Sequence, residues 1–116
     1  MVITGIGTDV ESIVRFKDSC ANSNFLSKVF TVREQEYCMR KKEPHICFAG
    51  KFCAKEAVIK AYHGMMHMGR IEILNLDSGQ PIVLIDGIEM KNIHCSISHS
   101  EEYAVATAII EDTGKH

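Results

Sequence analysis

Glu56 and Lys60 stand four residues apart in Ala49-Gly-Lys-Phe-Cys-Ala-Lys-Glu56-Ala-Val-Ile-Lys60-Ala61. The composition of this run favours helix, and the spacing puts an acid and a base on one face. A carboxylate so placed can take a proton from a hydroxyl or hold a hard cation, and an ammonium one turn along can neutralise charge that develops during reaction. On a wheel at about 100° per residue the two share a stripe with the small Ala49 and Cys53, while Phe48, Phe52 and Ile59 form another. The same spacing also describes an exposed ion pair worth about 0.3–0.5 kcal/mol, or a buried structural one. Asp9, at the end of Gly5-Ile-Gly-Thr-Asp9, offers a second carboxylate. Its glycines let something approach the backbone closely, yet a bare Gly-x-Gly is no phosphate loop, and the segment reads equally well as a turn followed by an acid.

Other reactive residue types have weaker settings. Ser96-Ile-Ser98-His99-Ser100 contains a hydroxyl beside an imidazole, but neighbours on a strand point to opposite faces and no acid is placed to orient the ring, which argues against a serine hydrolase. His63 and His67 have a metal-clamping separation, with Gly64 between them and no acid following at metalloprotease spacing, so zinc is not expected there. The five cysteines, Cys20, Cys38, Cys47, Cys53 and Cys95, form no Cys-x-x-Cys pair. With an odd count and no export signal, free thiols are expected.

The elements that must hold these groups fit into 116 residues that are 46% hydrophobic and 24% charged, with a formal net charge of −2. That balance excludes collagen-like, low-complexity and disordered chains, and it supplies no global positive field for nucleic acid or an anionic membrane. No apolar run approaches the ~20 residues of a spanning helix. Met1 to Thr8 has neither the basic nor the apolar region of a signal peptide, so a cytoplasmic location is expected. A single domain over residues 1–116 is expected.

Val2 to Ile6 reads as a strand that ends at Asp9, followed by a short amphipathic helix beginning near Ser12 and broken at Asn22-Ser23-Asn24. Phe25 to Phe30 has helical spacing, Thr31-Val-Arg-Glu34 has the form of a capping box, and Lys41 to Pro44 is a break before one long helix from Ile46 to Tyr62. Ile71 to Leu76 and Ile82 to Ile85 flank the turn Asp77-Ser-Gly-Gln-Pro81, and Asp86-Gly87 makes another turn. Ile93 to Ser98 and Tyr103 to Ile110 read as two further strands. The fold class is α+β: helices first, then an antiparallel sheet that the first strand joins, packed with one long helix and shorter ones.

Taken together, these segments resemble the holo-acyl-carrier-protein synthases, the small phosphopantetheinyl transferases. Gly5-Ile-Gly-Thr-Asp9 is similar to that family's GIGxD segment, and Phe25 to Glu34 to its F-x5-T-x2-E stretch. Ala49 to Ala61 resembles the AGRFAAKEAxxKA helix, Gly79-Gln-Pro81 the GKP turn, and Ser96-Ile-Ser-His99 with Tyr103-Ala-Val-Ala the SISH segment and final strand. The likeness runs over nearly the whole chain, and its motifs occur in the family's order.

The resemblance implies transfer of 4′-phosphopantetheine from coenzyme A to a serine of an apo-acyl carrier protein in fatty acid biosynthesis, releasing adenosine 3′,5′-bisphosphate. Mg²⁺, or Mn²⁺, is implied as cofactor, held by Asp9 and Glu56. On this resemblance Glu56, directly or through a metal-bound water, would help deprotonate the incoming serine, and Lys60 would neutralise charge on the transferred phosphate and contact the cofactor. The resemblance also implies that Lys51 and His99 would meet the nucleotide half of coenzyme A at its phosphates, and that Gly79 and Pro81 would shape the wall against the adenine. Lys51 lies about 140° from Glu56 on the wheel, so the two do not serve one site within one subunit. The family's trimers, with sites at subunit contacts, would resolve this, and a homotrimer is expected.

The pattern also departs from the family. Lys51 replaces an arginine, exchanging a bidentate fork for a point charge. The loop after Lys60 is about four residues shorter than the family's KALGTG continuation implies. Cys47 stands near a commonly aromatic position, and Ser19 to Asn24 lacks basic residues for gripping an acidic carrier, leaving Arg15 and Lys17. A transferase for a peptidyl or polyketide carrier, or a coenzyme A-binding module without transfer, therefore stay open.

Overall fold

The glycines before Asp9 are explained by close packing. In the computed structural model, which describes residues 1–112, strand β1 (Val2–Ser12) crosses helix α4 (Pro44–Ala61) with its backbone almost touching the helix. A Cβ on Gly5 would lie 2.1 Å from Ala61 O, and one on Gly7 2.0 Å from Ala57 O. No side chain fits in that gap, so the alternation Gly5, Gly7, Asp9 brings the strand down onto the helix and delivers the carboxylate beside it. The strand does not stop at Asp9 as expected. It pairs with β6 through Ser12, whose hydroxyl then caps α1 by accepting from Arg15 N at 3.3 Å.

The remaining elements are α1 (Ile13–Cys20), α2 (Ser23–Val29), α3 (Val32–Met39), β2 (Ile71–Asn75), β3 (Pro81–Ile85), β4 (Ile88–Glu89), β5 (Ile93–His99) and β6 (Tyr103–Asp112). Asn22 breaks the chain by capping α2, and Thr31 and Glu34 form the reciprocal capping box that opens α3. The long helix begins two residues earlier than expected, because Pro44 has no N–H to lose in the first turn and its fixed φ suits that position.

The antiparallel strands divide into two three-stranded sheets, ordered β1-β6-β5 and β2-β3-β4. The inner face of the first, Ala104, Ala106, Ala108 and Ile110 on β6, packs against Ala49, Cys53, Ala57 and Ala61 of α4. Small residues on both surfaces allow the close approach. On its other side α4 carries Phe48 and Phe52. Phe48 meets Phe30 with ring centroids 4.8 Å apart, and Phe52 meets Phe16 at 5.2 Å, which anchors the short helices. Of the single domain expected over 1–116, residues 113–116 lie outside the described residues.

The five cysteines are not all the free thiols expected. Cys38 and Cys47 form a disulfide, with Cα atoms 5.4 Å apart; Cys20, Cys53 and Cys95 are free. The tight reversal between α3 and α4 sets two cysteines nine positions apart side by side, a proximity that export signals and Cys-x-x-Cys spacing do not address.

Candidate active site

Asp9 sits near the middle of β1 with its side chain only 12% exposed. Its Oδ1 accepts from Lys60 Nζ at 3.1 Å, and the same ammonium donates to Thr8 O at 2.9 Å. Asp9 Oδ2 is buried and accepts no hydrogen bond. The Glu56–Lys60 ion pair that the spacing left open as an alternative is not formed: Lys60, 52% exposed, reaches across to β1. The i,i+4 rule considers one helix alone, and here a strand lies closer to the ammonium than the next turn's carboxylate does.

Glu56 and Glu11 complete a group of three acids around one cation. Desolvation raises the Glu56 carboxyl above its ordinary value, the charge of Asp9 adds to that, and Lys60 opposes it. Glu11 is raised by burial, then by the charges of Asp9 and Glu56. Burial, with help from Asp9 and Glu11, pushes the Cys53 thiol up to about 12, so it is an inert core group donating to Ala104 O. Converging carboxylates, an excess of negative charge and an orphaned buried oxygen fit a hard divalent cation better than a structural ion pair. Among the described residues no group of three or more His, Cys, Asp or Glu is arranged to enclose a metal. A hard cation held by Asp9 and Glu56 alone would have to take its other oxygens from substrate and water.

A second feature collects the other expected residues. Lys51, Gly79, Pro81 and His99 line one cavity of about 330 Å³, with Tyr37 and Asn75 among its walls. Asp9, Glu56 and Lys60 are not among its lining residues. Gly79 takes φ +93° in the β2–β3 turn, and His99 ends β5 with its ring exposed and Nδ1 3.4 Å from Ser100 O. Lys51 is only 2% exposed. Its ammonium donates to Ile73 O at 2.5 Å and Asn75 Oδ1 at 2.7 Å, and lies 4.7 Å from the centre of the Tyr37 ring. Burial lowers its pKa to about 8 against the opposing pull of Glu34. Two of its three donors are therefore committed within the protein.

Residues 5–108 match the family model described as the 4′-phosphopantetheinyl transferase superfamily. The chain belongs to that superfamily. Curated members that it resembles include the holo-[acyl-carrier-protein] synthase of Clostridium tetani, 37% identical over 95% of this chain and 97% of that protein. That of Clostridium botulinum strain Eklund 17B is 40% identical over 95% and 98%. Among solved structures, a holo-(acyl-carrier-protein) synthase from Bacillus anthracis in complex with CoA (3′,5′-ADP) superposes with a TM-score of 0.84 at 30% identity, covering 97% of this chain and 100% of that one.

As a phosphopantetheinyl transferase of this type the chain is an enzyme, and its α+β architecture is that of the family. The residues that sequence reasoning missed are Glu11 and Asn75. Glu11 had a signal, since it lies two positions beyond Asp9 on one strand and so shares its face. Asn75 had none, because its partners come from α4 and from a turn four residues on. His63 and His67 share no helical face, since α4 ends at Ala61 and His67 Nδ1 accepts from Gly69 N at 3.0 Å. No helix among the described residues is long and apolar enough to cross a membrane.

Proposed function

We propose that this enzyme transfers 4′-phosphopantetheine from coenzyme A to a serine hydroxyl of an apo-acyl carrier protein, with Asp9, Glu56 and Lys60 at the reacting phosphate and Lys51, Gly79, Pro81 and His99 around the nucleotide. The observation that carries this reading is the unpartnered, buried Asp9 Oδ2 beside the raised carboxyl of Glu56. Asp9 and Glu56 would hold Mg²⁺ or Mn²⁺, which when bound screens the pyrophosphate oxygens from one another and from the incoming hydroxyl. Glu56 accepts the serine proton as the oxygen attacks phosphorus and adenosine 3′,5′-bisphosphate leaves. Lys60, half-exposed and tethered to β1 by Thr8 O and Asp9, offers its remaining donor to the transferred phosphoryl oxygens.

The two groups of residues line different parts of one chain, which supports a homotrimer whose sites combine the acid cluster of one copy with the cavity of the next. An apolar face is available for that contact: Ile6 and Val10 on β1 and Tyr103 and Val105 on β6 are all exposed, on the side of the sheet away from α4. The intact mass of an apo carrier incubated with this chain, coenzyme A and Mg²⁺ tests the reading. A gain of one phosphopantetheine, lost on adding a chelator, is expected. No gain on apo-acyl, peptidyl or polyketide carriers while coenzyme A still binds would favour a binding module.

A further inference from the structure

Asn75 closes β2 where the hairpin leaves its sheet. Its amide has a partner at each end: Oδ1 accepts from Lys51 Nζ at 2.7 Å, and Nδ2 donates to Gly79 O at 2.9 Å. The partners decide which way the amide faces, because only its oxygen can meet an ammonium and only its NH₂ can meet a carbonyl. Gly79 itself sits in a turn closed by Gly79 N to Leu76 O at 2.8 Å and Leu76 N to Gln80 O at 2.9 Å. One neutral side chain therefore connects a buried cation on α4 to the turn that carries Gly79 and Pro81, and all four residues line the same cavity.

We infer that Asn75 is a positioning residue for the nucleotide, setting the separation between the Lys51 cation and the Gly79–Pro81 wall. The inference rests on assigning this cavity to the nucleotide half of coenzyme A. Both properties of the amide matter. Aspartate keeps the shape but loses the donor to Gly79 and places a negative charge against Lys51, cancelling the field a phosphate meets. Alanine leaves a buried ammonium short of an acceptor and the turn unlatched. The nucleotide is held alike before and during transfer, so the loss falls on KM for coenzyme A and not on kcat.

The test is steady-state kinetics of the full chain with coenzyme A and apo carrier for Asn75→Ala, Asn75→Asp and Lys51→Ala, with melting temperatures alongside. KM for coenzyme A is expected to rise roughly tenfold in Asn75→Ala and further in Asn75→Asp, while kcat stays within about twofold and KM for the carrier is unmoved. Unchanged KM for coenzyme A in both Asn75 variants, or kcat falling in parallel with it, overturns the inference. If Lys51→Ala also leaves coenzyme A binding intact, the cavity is not the nucleotide site and the underlying assignment fails. If Lys51→Ala weakens binding and the Asn75 variants do not, only the positioning role is lost.

Discussion

Lys55 and Glu56 are adjacent on α4 and belong to opposite kinds of environment. Lys55 Nζ donates to Glu34 Oε1 and to Val29 O, both at 2.6 Å, with the lysine and glutamate side chains 1% and 0% exposed. Glu34 Oε1 also accepts from Thr31 N, and Oε2 from Ile73 N. Thr31 Oγ1 in turn donates to Glu72, which Arg33 grips through Nε and Nη2. This network ties α3, α4 and β2 together with both Glu34 oxygens satisfied. One residue further on, Glu56 faces Asp9 and Glu11, with a single half-exposed cation and an orphaned oxygen among them. A buried polar group whose partners all lie within the chain fixes the fold, whereas one left short of partners is a place for something the chain does not contain.

Lys55→Met strands the buried Glu34 carboxylate and is expected to cost about 3–5 kcal/mol of stability in denaturant melts, with transfer by the folded fraction largely retained. Gly7→Ala puts a methyl against Ala57 O, where the gap is 2.0 Å. It should lift β1 from α4, costing about 1–3 kcal/mol of stability and a roughly hundredfold drop in kcat/KM, since Asp9 moves relative to Glu56. A Gly7→Ala enzyme of normal rate would show that this close approach does not position the acids.

The smallest effect is a pH slope. Burial raises the Glu72 carboxyl, but the hydrogen bonds from Arg33 and Thr31 and the charges of Arg33 and Lys55 outweigh it and hold the group below the ordinary glutamate value. Its contribution to stability is therefore fully present above that ordinary value and is lost as pH falls through the lowered one. Arg33→Gln should shrink this acid limb in melting temperature measured from about pH 6 down to pH 3. An unchanged limb would mean that Arg33 does not hold the Glu72 charge.

What the sequence alone revealed was mostly local. The Thr31–Glu34 capping box, the Asn22 break and the turns at Gly79 and Gly87 follow from residue chemistry within a few positions. The Ala-rich helix does too, although Pro44 extended it. Asp9 and Glu56 emerged as a pair only through the family resemblance, and the geometry that joins them depends on Gly5 and Gly7 lying against α4. Spacing rules are blind to tertiary neighbours and so do not decide which partner a lysine takes. Lys60 chose Asp9 across 51 positions over Glu56 one turn away, and Lys55, 21 positions from Glu34, made the buried ion pair. The Cys38–Cys47 bond and the division into two sheets are likewise decided by how elements meet.

The most direct measurement is phosphopantetheine transfer by Glu56→Gln, read as carrier mass gain per unit time, beside its melting temperature. Transfer is expected to fall by about 10²–10⁴-fold with a fold at least as stable as the parent, because a neutral amide relieves the crowding with Asp9 and Glu11. Near-normal transfer, or a collapse of stability like that expected for Lys55→Met, would contradict a role for Glu56 in transfer and place it among the structural residues.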